Sequence, residues 1–403
     1  MIAPLVDELC RLNHNVCCIT HEKFRSFYKE DNIRFIYYNR DAVEESEDIF
    51  QKYKDVNPQF DHFNMQDLDW KRCLEVYRHT TSVNYEINTT FYHQVFEKIK
   101  EFAPDLIIRD TCAIWGKMAG KDLNTKTIAY ICNPIVTKEF ILHDVKQHYY
   151  NGYFPYVDLK EDQVPKLFEH FIAINRQLYS DYEIPFQYNF NPQEEFNLVF
   201  CSRELQPPHF YDTDKKVFFV RPKLFYNDKA DVQKEKLIYV STGSMIGAGL
   251  DFYNTVIQAF KDTEYQVLIS FPYADEKELT YKLPSNVTIE KFVDQKKILE
   301  RACLFISHGG YNSLYESIFY EVPLMIFPLV NDQFFNGDLV ENTGIGINFK
   351  RHPFHSANVR HLAEQLIHSR IAHANLKYLS EDFKKSLSIS EAAAIIEKNY
   401  AAK

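Results

Sequence analysis

The stretch FISHGGYNSLYE, residues 305–316, predicts a buried strand followed by a glycine turn and the start of a helix. Residues 304–306 form the short apolar run that parallel sheets bury. Gly309 and Gly310 allow a turn in which side chains would clash, and helical spacing begins at Tyr311. A helix that starts directly after a strand offers backbone N–H groups and the positive end of its dipole. The stretch therefore favours a phosphate site, although taken alone it is equally compatible with a structural turn.

Glycine is scarce in this chain and concentrated in one region. Only 11 of the 403 residues are glycine, and eight of those 11 lie between Gly243 and Gly346. Where glycine is scarce, its clustering marks backbone with special conformational demands. A second turn of the same kind, STGS at residues 241–244, follows the apolar run 237–240 and is again suited to phosphate. These features place ligand chemistry mainly in the C-terminal half.

The composition excludes several classes of function. The net charge is −10 and no cluster of Lys or Arg occurs, which argues against nucleic-acid binding. No apolar run approaches the roughly 18 residues of a membrane span. The eight cysteines form no C-x-x-C pair and mostly lie in apolar runs, which favours reduced thiols in a cytoplasmic protein. His352 and His355 have the spacing of a metal pair, but nothing nearby completes a site, so a solvated loop and no metal are predicted.

Strand and helix patterns alternate through both halves of the chain. They predict an α/β fold of two Rossmann-like, doubly wound domains that face each other across a cleft. The suggested domains are an N-terminal acceptor-binding domain at 1–205, a linker at 206–235, a C-terminal domain at 236–385 and a terminal helix at 386–403. The apolar run 197–200 is predicted to be the last strand of the N-terminal domain.

Three features of the N-terminal half bear on function. A strand predicted at 105–110 ends in Asp110, at the edge where open α/β sheets place ligand-binding residues, and a helix N-cap is an equally weighted alternative. The segment 138–190 is rich in aromatic residues, which core packing explains by default and which also suits a bulky, partly apolar acceptor. Residues 1–15 read as an amphipathic helix, so the chain opens inside a βα unit and an earlier strand is expected.

Five features of the C-terminal half together resemble a known family. They are Gln295, the run HGGYNS at 308–313, Glu316, the pair VP at 322–323 and the pair DQ at 332–333. This pattern is similar to the donor-binding signature of the UDP-glycosyltransferase superfamily, inverting enzymes of the GT-B fold that include macrolide and plant glycosyltransferases. The resemblance implies transfer of a sugar from a UDP-sugar to a hydroxyl of a small, partly hydrophobic acceptor, with no metal ion.

The resemblance also implies a role for each donor-binding residue. Phe292 would stack on uracil, His308 would contact the diphosphate, and Glu316 would accept hydrogen bonds from the ribose. Asp332 and Gln333 would bind hydroxyls of the transferred sugar. A carboxylate suits a vicinal diol, and a histidine at a helix N-terminus suits a diphosphate leaving group. The complete implied donor site is Ser244, Phe292, Val293, Gln295, His308, Gly310, Tyr311, Asn312, Ser313, Glu316, Asp332 and Gln333.

Asp110 matches the aspartate that orients the catalytic histidine of the family, which removes the acceptor hydroxyl proton. In the family that histidine follows the first strand, whereas residues 1–4 here resemble the start of the next helix, and His14 matches a structural histidine. The first strand and the catalytic histidine are therefore expected to be missing from this sequence, as in a truncated one. The alternative is a catalytically inactive nucleotide-sugar-binding protein. A weaker alternative is a lipid-linked sugar transferase in peripheral contact with a membrane.

Three positions depart from the plant-type pattern of the family. Phe292 stands in place of the usual Trp, Asp294 in place of Pro, and Glu321 in place of Gly. These departures are milder than the absence of the catalytic histidine.

Overall fold

The structure is a computed structural model that describes residues 2–37, 70–137, 163–182, 194–207, 216–226, 232–243, 248–271, 283–329 and 332–400. The described residues form two units. One contains those up to Lys223 together with those from Ser386 onward, and the other contains those from Leu224 to Lys385. The unit boundary therefore falls inside the stretch suggested as a linker, and the terminal helix belongs to the first unit.

Helices and strands alternate along the whole chain. The N-terminal half contains α1 (Ala3–Arg11), β1 (Cys17–Thr20), β2 (Arg34–Tyr37), α2 (Trp70–Phe102), β3 (Leu106–Asp110), α3 (Ile114–Asp122), β4 (Lys126–Ile131), α4 (Gln163–Leu178), β5 (Phe196–Val199) and β6 (Lys216–Phe219). The C-terminal half contains β7 (Leu237–Ser241), α5 (Leu250–Phe260), β8 (Gln266–Ser270), β9 (Val287–Glu290), α6 (Gln295–Arg301), β10 (Leu304–Ser307), α7 (Tyr311–Tyr320), β11 (Leu324–Ile326), α8 (Asp332–Asn342), β12 (Gly346–Asn348), α9 (Ser356–Ile367), α10 (Arg370–Lys385) and α11 (Ile389–Tyr400).

All pairs of neighbouring strands in the described sheets are parallel, which confirms the predicted α/β class. The second unit has one six-stranded sheet in the order β12-β11-β10-β7-β8-β9. In the first unit, β3-β4-β5-β6 form one sheet and β1-β2 form another. The strand of the opening motif, β10, lies between β11 and β7, so the glycine turn leaves the middle of the larger sheet.

The core of the second unit packs one face of its sheet against helices. Ile238 and Val240 of β7, with Leu304 and Ile306 of β10, are fully buried in one cluster with Phe252 of α5. Each such side chain contributes about 1.5–3 kcal/mol by leaving water. Because these four residues alternate along their strands, the residues between them lie on the opposite face of the sheet. That alternation directs Tyr239 toward the other face.

Helix α11 belongs to the first unit because it packs against α1. Leu5 and Leu9 of α1 lie in one buried cluster with Ile396 of α11. Nε2 of His14, just after α1, lies 3.0 Å from Oε1 of Glu397 in α11. This contact agrees with the structural role that the family resemblance implies for His14.

Two predictions about the fold need correction or completion. The run 197–200 is not the last strand of the first unit, because β6 follows β5 and pairs with it in parallel. Strand β6 has only four residues and none of them is fully buried, so it lacks the apolar run that marks the other strands. The pair His352 and His355 lies in the loop before α9, where Nδ1 of His355 accepts a hydrogen bond from the Asn358 N–H and caps that helix.

Two further observations concern the described parts of the chain. The cysteines there are free thiols, namely Cys10, Cys17, Cys18, Cys112, Cys132, Cys201 and Cys303. None of the helices in those parts is both long and apolar enough to cross a membrane.

Candidate functional site

The imidazole of His308 lies between two glycines that come from different βα turns. A Cβ atom added to Gly310 would lie 2.7 Å from Nε2 of His308, and one added to Gly243 would lie 2.8 Å from Cε1. Gly243 has a φ of +86° and Gly309 a φ of +89°, which side chains rarely tolerate. The turn after β7 and the turn after β10 are therefore both shaped around one ring.

The surroundings of His308 suit an anion. Burial lowers the pKa of His308, and a hydrogen bond to the Ser241 backbone opposes this, so the ring is neutral at pH 7. Nδ1 of the ring is buried and has no partner among the described residues. Helix α7 begins beside it, and its N-cap residue Gly310 supplies no capping side chain. The N–H groups of the first turn thus remain for a ligand, as at known phosphate sites.

A carboxylate lies further along α7 and is held by an amide. Nε2 of Gln295 donates to Oε2 of Glu316 at 2.7 Å and lies 3.5 Å from the hydroxyl of Ser313. The hydroxyl of Tyr239 donates to Oε1 of the same amide at 3.3 Å. Burial raises the pKa of Glu316, while the hydrogen bond from Gln295 and the charge of Lys296 oppose that rise.

Residues 292–294 enter α6 and present an aromatic ring to solvent. Phe292 is 77% exposed, which is unusual for a phenylalanine and leaves its face available for stacking. Val293 beside it is half-buried. Asp294 is the N-cap of α6, and its side chain accepts from the Lys297 N–H at 3.5 Å. Capping explains how an aspartate can replace the family's proline at this position.

The start of α8 is tied to the glycine turn through Asn336. Nδ2 of Asn336 donates to the Gly309 carbonyl at 2.9 Å and to Oδ2 of Asp332 at 3.0 Å. Burial raises the pKa of Asp332, and the Asn336 hydrogen bond opposes it. The side-chain oxygen of Gln333 accepts from the Leu329 N–H at 2.8 Å, so it fixes the preceding loop. Asn336 was not predicted, although its spacing of four from Asp332 places both on one helix face.

The predicted donor residues are brought together with two exceptions in what can be described. Phe292, Gln295, His308 and Glu316 are linked by the contacts above, and they all lie in the second unit. Ser244 lies outside the described residues. Tyr311 is buried, Asn312 is exposed and Ser313 is half-buried in the first turn of α7. Most of the aromatic segment 138–190 also lies outside the described residues.

Asp110 lies in the first unit, at the carboxyl end of β3. Its Oδ1 accepts from the Cys112 N–H at 2.8 Å, the turn-stabilising contact that the N-cap alternative predicts. A cavity of about 700 Å³ beside it is lined by residues of β1 and β3 and by apolar side chains of α1 and α11. Strand β1 pairs with β2 and β3 pairs with β4, so the walls of this cavity include strand edges.

Comparison with known proteins gives a consistent family. Residues 223–386 match the family model described as UDP-glucoronosyl and UDP-glucosyl transferase. The NDP-glycosyltransferase YjiC of Bacillus subtilis is 25% identical over 400 residues, which cover 98% of this chain and 92% of that protein. The calicheamicin glycosyltransferase CalG4 superposes with a TM-score of 0.70 at 17% identity, covering 100% of this chain and 95% of that one. The spinosyn rhamnosyltransferase SpnG, in complex with thymidine diphosphate, gives a TM-score of 0.63 at 14% identity, covering 99% and 95%.

These matches divide the argument between sequence and fold. The family model covers the part of the chain that contains His308 and Glu316. The Bacillus relative extends the similarity over nearly the full length. The solved structures, which are distant in sequence, show the shared fold of two Rossmann-like domains. The chain therefore belongs to the UDP-glycosyltransferase superfamily, whose nucleotide-sugar-dependent transferases have the GT-B fold.

Proposed function

We propose that this protein transfers a sugar from a UDP-sugar to a hydroxyl group of a small, partly hydrophobic acceptor, with inversion at the anomeric carbon and without a metal ion. The observation that carries the proposal is the pairing of an uncapped helix N-terminus at Gly310 with the amide-held carboxylate of Glu316. The two lie six residues apart on α7, or about 9 Å along the helix. That arrangement suits the diphosphate and the ribose diol of one nucleotide.

Each part of the donor finds a chemical counterpart in the second unit. The uracil base stacks on the exposed ring of Phe292. The diphosphate accepts hydrogen bonds from the first turn of α7 and from the neutral imidazole of His308. The ribose hydroxyls donate to Glu316, and hydroxyls of the transferred sugar reach Asp332. Gln333 contributes to the sugar site by holding the loop before α8, through its bond to the Leu329 N–H.

In the transfer step the acceptor hydroxyl oxygen attacks the anomeric carbon of the donor sugar. The new C–O bond forms as the bond to the β-phosphate oxygen breaks, and UDP leaves with that electron pair. The negative charge that develops on UDP is stabilised by the N-terminus of α7 and by His308. The hydroxyl proton goes to a histidine base that Asp110 orients, by the family resemblance.

A second candidate is a nucleotide-sugar-binding protein that performs no transfer. It is favoured by the contact of Asp110, which in the described part of the chain accepts its hydrogen bond from the Cys112 backbone and not from an imidazole. The two candidates share the donor site and differ only in turnover. A protein that binds UDP but forms no product with any acceptor supports the second candidate.

Calorimetric titration with UDP tests the donor site. We expect one site per chain with a Kd between about 1 µM and 1 mM, the range of typical substrate constants. A protein whose circular dichroism spectrum shows that it is folded but that does not bind UDP would refute both candidates. Product from UDP-glucose and a panel of phenols, analysed by NMR, tests transfer. A product with retained anomeric configuration would contradict the inverting step.

Phe292→Ala is expected to weaken UDP binding about tenfold, because stacking on an aromatic ring contributes ~1–3 kcal/mol per base. Phe292→Trp should bind UDP at least as tightly as the wild type, since its ring is larger. The matched control is Phe27→Ala, which removes another exposed phenylalanine in the first unit. If Phe292→Ala binds UDP normally, the base does not stack on this ring.

Asp110→Asn is expected to lower the rate of transfer by about 100-fold or more, the usual contribution of a positioned acid or base. The asparagine oxygen can still accept from the Cys112 N–H, so the turn before α3 should be preserved. Because the donor site lies in the second unit, the Kd for UDP should not change. Steady-state kinetics with saturating UDP-sugar measures this, and unchanged turnover would remove the role given to Asp110.

A further inference from the structure

We propose that Tyr239 is a positioning residue for the nucleoside. Its hydroxyl fixes the amide of Gln295, and through that amide it holds the Glu316 carboxylate in place for the ribose diol. The inference rests on the proposed function, because it concerns the UDP part of the donor. It adds a residue of β7 to a site that is otherwise built from α6, α7 and the glycine turns.

The three side chains form a continuous line of hydrogen bonds. The Tyr239 hydroxyl donates to Oε1 of Gln295 at 3.3 Å, and Nε2 of Gln295 donates to Oε2 of Glu316 at 2.7 Å. A side-chain amide has one accepting end and one donating end. A donor at Oε1 therefore turns the NH₂ end toward the carboxylate. If the amide were reversed, its oxygen would face the oxygen of Glu316 and would repel it.

Tyr239 is well suited to hold the amide because it cannot move. It is 1% exposed in β7, which lies between β10 and β8. Its ring stacks on Phe305 of β10, with ring centroids 4.9 Å apart and planes at 17°. Burial raises the pKa of Tyr239, against smaller opposing effects of Ser241 and Ser270. The hydroxyl therefore keeps its proton at physiological pH and remains a donor.

The consequence for binding falls on the ribose and not on the diphosphate. A carboxylate that is held and charged accepts strongly from the 2′-hydroxyl, whereas a mobile or protonated carboxyl does so weakly. The hydrogen bond from Gln295 opposes the rise in the pKa of Glu316 that burial causes. Loss of the Tyr239 hydroxyl should loosen that bond, so Glu316 would take up a proton at higher pH.

The experiment compares UDP with 2′-deoxyuridine 5′-diphosphate by calorimetry between pH 5 and pH 8. The two ligands have the same diphosphate, so the ratio of their Kd values cancels its titration and reports the contact with the 2′-hydroxyl. For the wild type we expect UDP to bind about tenfold more tightly than the deoxy compound. In Tyr239→Phe this ratio should fall to about threefold, with its pH midpoint shifted upward, while the Kd for the deoxy compound stays unchanged.

Two further variants make the result specific. Glu316→Gln should lower the ratio and remove its dependence on pH, and adding Tyr239→Phe to it should lower the ratio no further, because both changes act on one contact. Tyr265→Phe is the matched control, since Tyr265 is a buried tyrosine of the same unit that lies before β8 and away from the site. It should keep the wild-type ratio. Thermal melts confirm that each variant is folded.

The outcomes separate this inference from the proposed function. If the wild type discriminates between the two ligands and Tyr239→Phe does so equally well, with the same pH midpoint, the role of Tyr239 is overturned and UDP binding stands. A wild type that binds both ligands equally also overturns it, because Glu316 then does not contact the 2′-hydroxyl. A folded wild type that binds neither ligand overturns both the inference and the proposed function.

Discussion

Gly310→Ala is expected to weaken UDP binding by more than about tenfold, because small displacements of binding groups have large effects on a preorganised site. The new Cβ would lie 2.7 Å from Nε2 and 3.2 Å from Cε1 of His308. The ring cannot move away freely, because Gly243 packs against it as well. Either the imidazole or the first turn of α7 must shift. Both carry donors for the diphosphate, so both alternatives remove hydrogen bonds from the leaving group.

Calorimetry with UDP and a thermal melt of the same sample test this prediction. The matched control is Gly120→Ala in the first unit, where an added Cβ would contact the side chain of Thr127. That variant should lose stability and keep the wild-type Kd for UDP, which separates general instability from a damaged site. A Gly310→Ala protein with the wild-type Kd would show that the fit of His308 between the two glycines does not matter for binding.

Glu194→Gln is expected to destabilise the first unit by about 3 kcal/mol or more, because it leaves a buried charge without its partner. Nε and Nη2 of Arg109 donate to Oε1 of Glu194 at 2.8 and 2.6 Å, and the two side chains are 1% and 9% exposed. Nη1 of Arg109 also donates to the carbonyls of Asp110 and Thr111. The ion pair thus supports the end of β3 at which Asp110 lies.

Urea unfolding followed by tryptophan fluorescence measures this loss, because both tryptophans of the chain, Trp70 and Trp115, belong to the first unit. The control is Glu195→Gln, which neutralises the exposed neighbour and should change the free energy of unfolding by less than about 0.5 kcal/mol. UDP binding in the second unit should be preserved in both variants. Equal stability of the two variants would contradict the prediction.

The ion pair also predicts how stability depends on pH. Burial alone would raise the pKa of Glu194, but the charges of Arg109 and Lys117 outweigh burial and lower it. A carboxyl whose pKa is lower in the folded state stabilises the fold fully above its unfolded pKa of 4.5. This contribution is lost as the pH falls from 4.5 through the lower folded value. The wild type should therefore lose stability in this range more steeply than Glu194→Gln does.

Local patterns in the sequence predicted much of the second unit. Residues 304–316 contain their strand, glycine turn and helix in one short segment, so no distant contact is needed to interpret them. The helix at 332–342 was predicted with the observed bounds for the same reason. Strand β6 was missed because its residues are half-buried or exposed, and only its pairing with β5 identifies it.

Contacts between distant residues could not be predicted. Tyr239 and Gln295 are 56 positions apart, and only the order of β7 and β10 in the sheet brings the tyrosine under α6. The enclosure of His308 by Gly243 has the same origin. Asp294 shows the opposite case: its role as a helix N-cap is a local property and could have been read from the residues that follow it.

The packing of His308 between Gly243 and Gly310 has a consequence for protein engineering. A library that randomises one of these three positions at a time will return almost only wild type, because any larger glycine replacement meets the ring and any larger ring meets a glycine backbone. Altered leaving groups are accessible only by joint change, in which a smaller residue at 308 makes room for a side chain at 243 or 310. The useful search unit for redesign is this triplet, and three-site combinatorial libraries are the way to explore it.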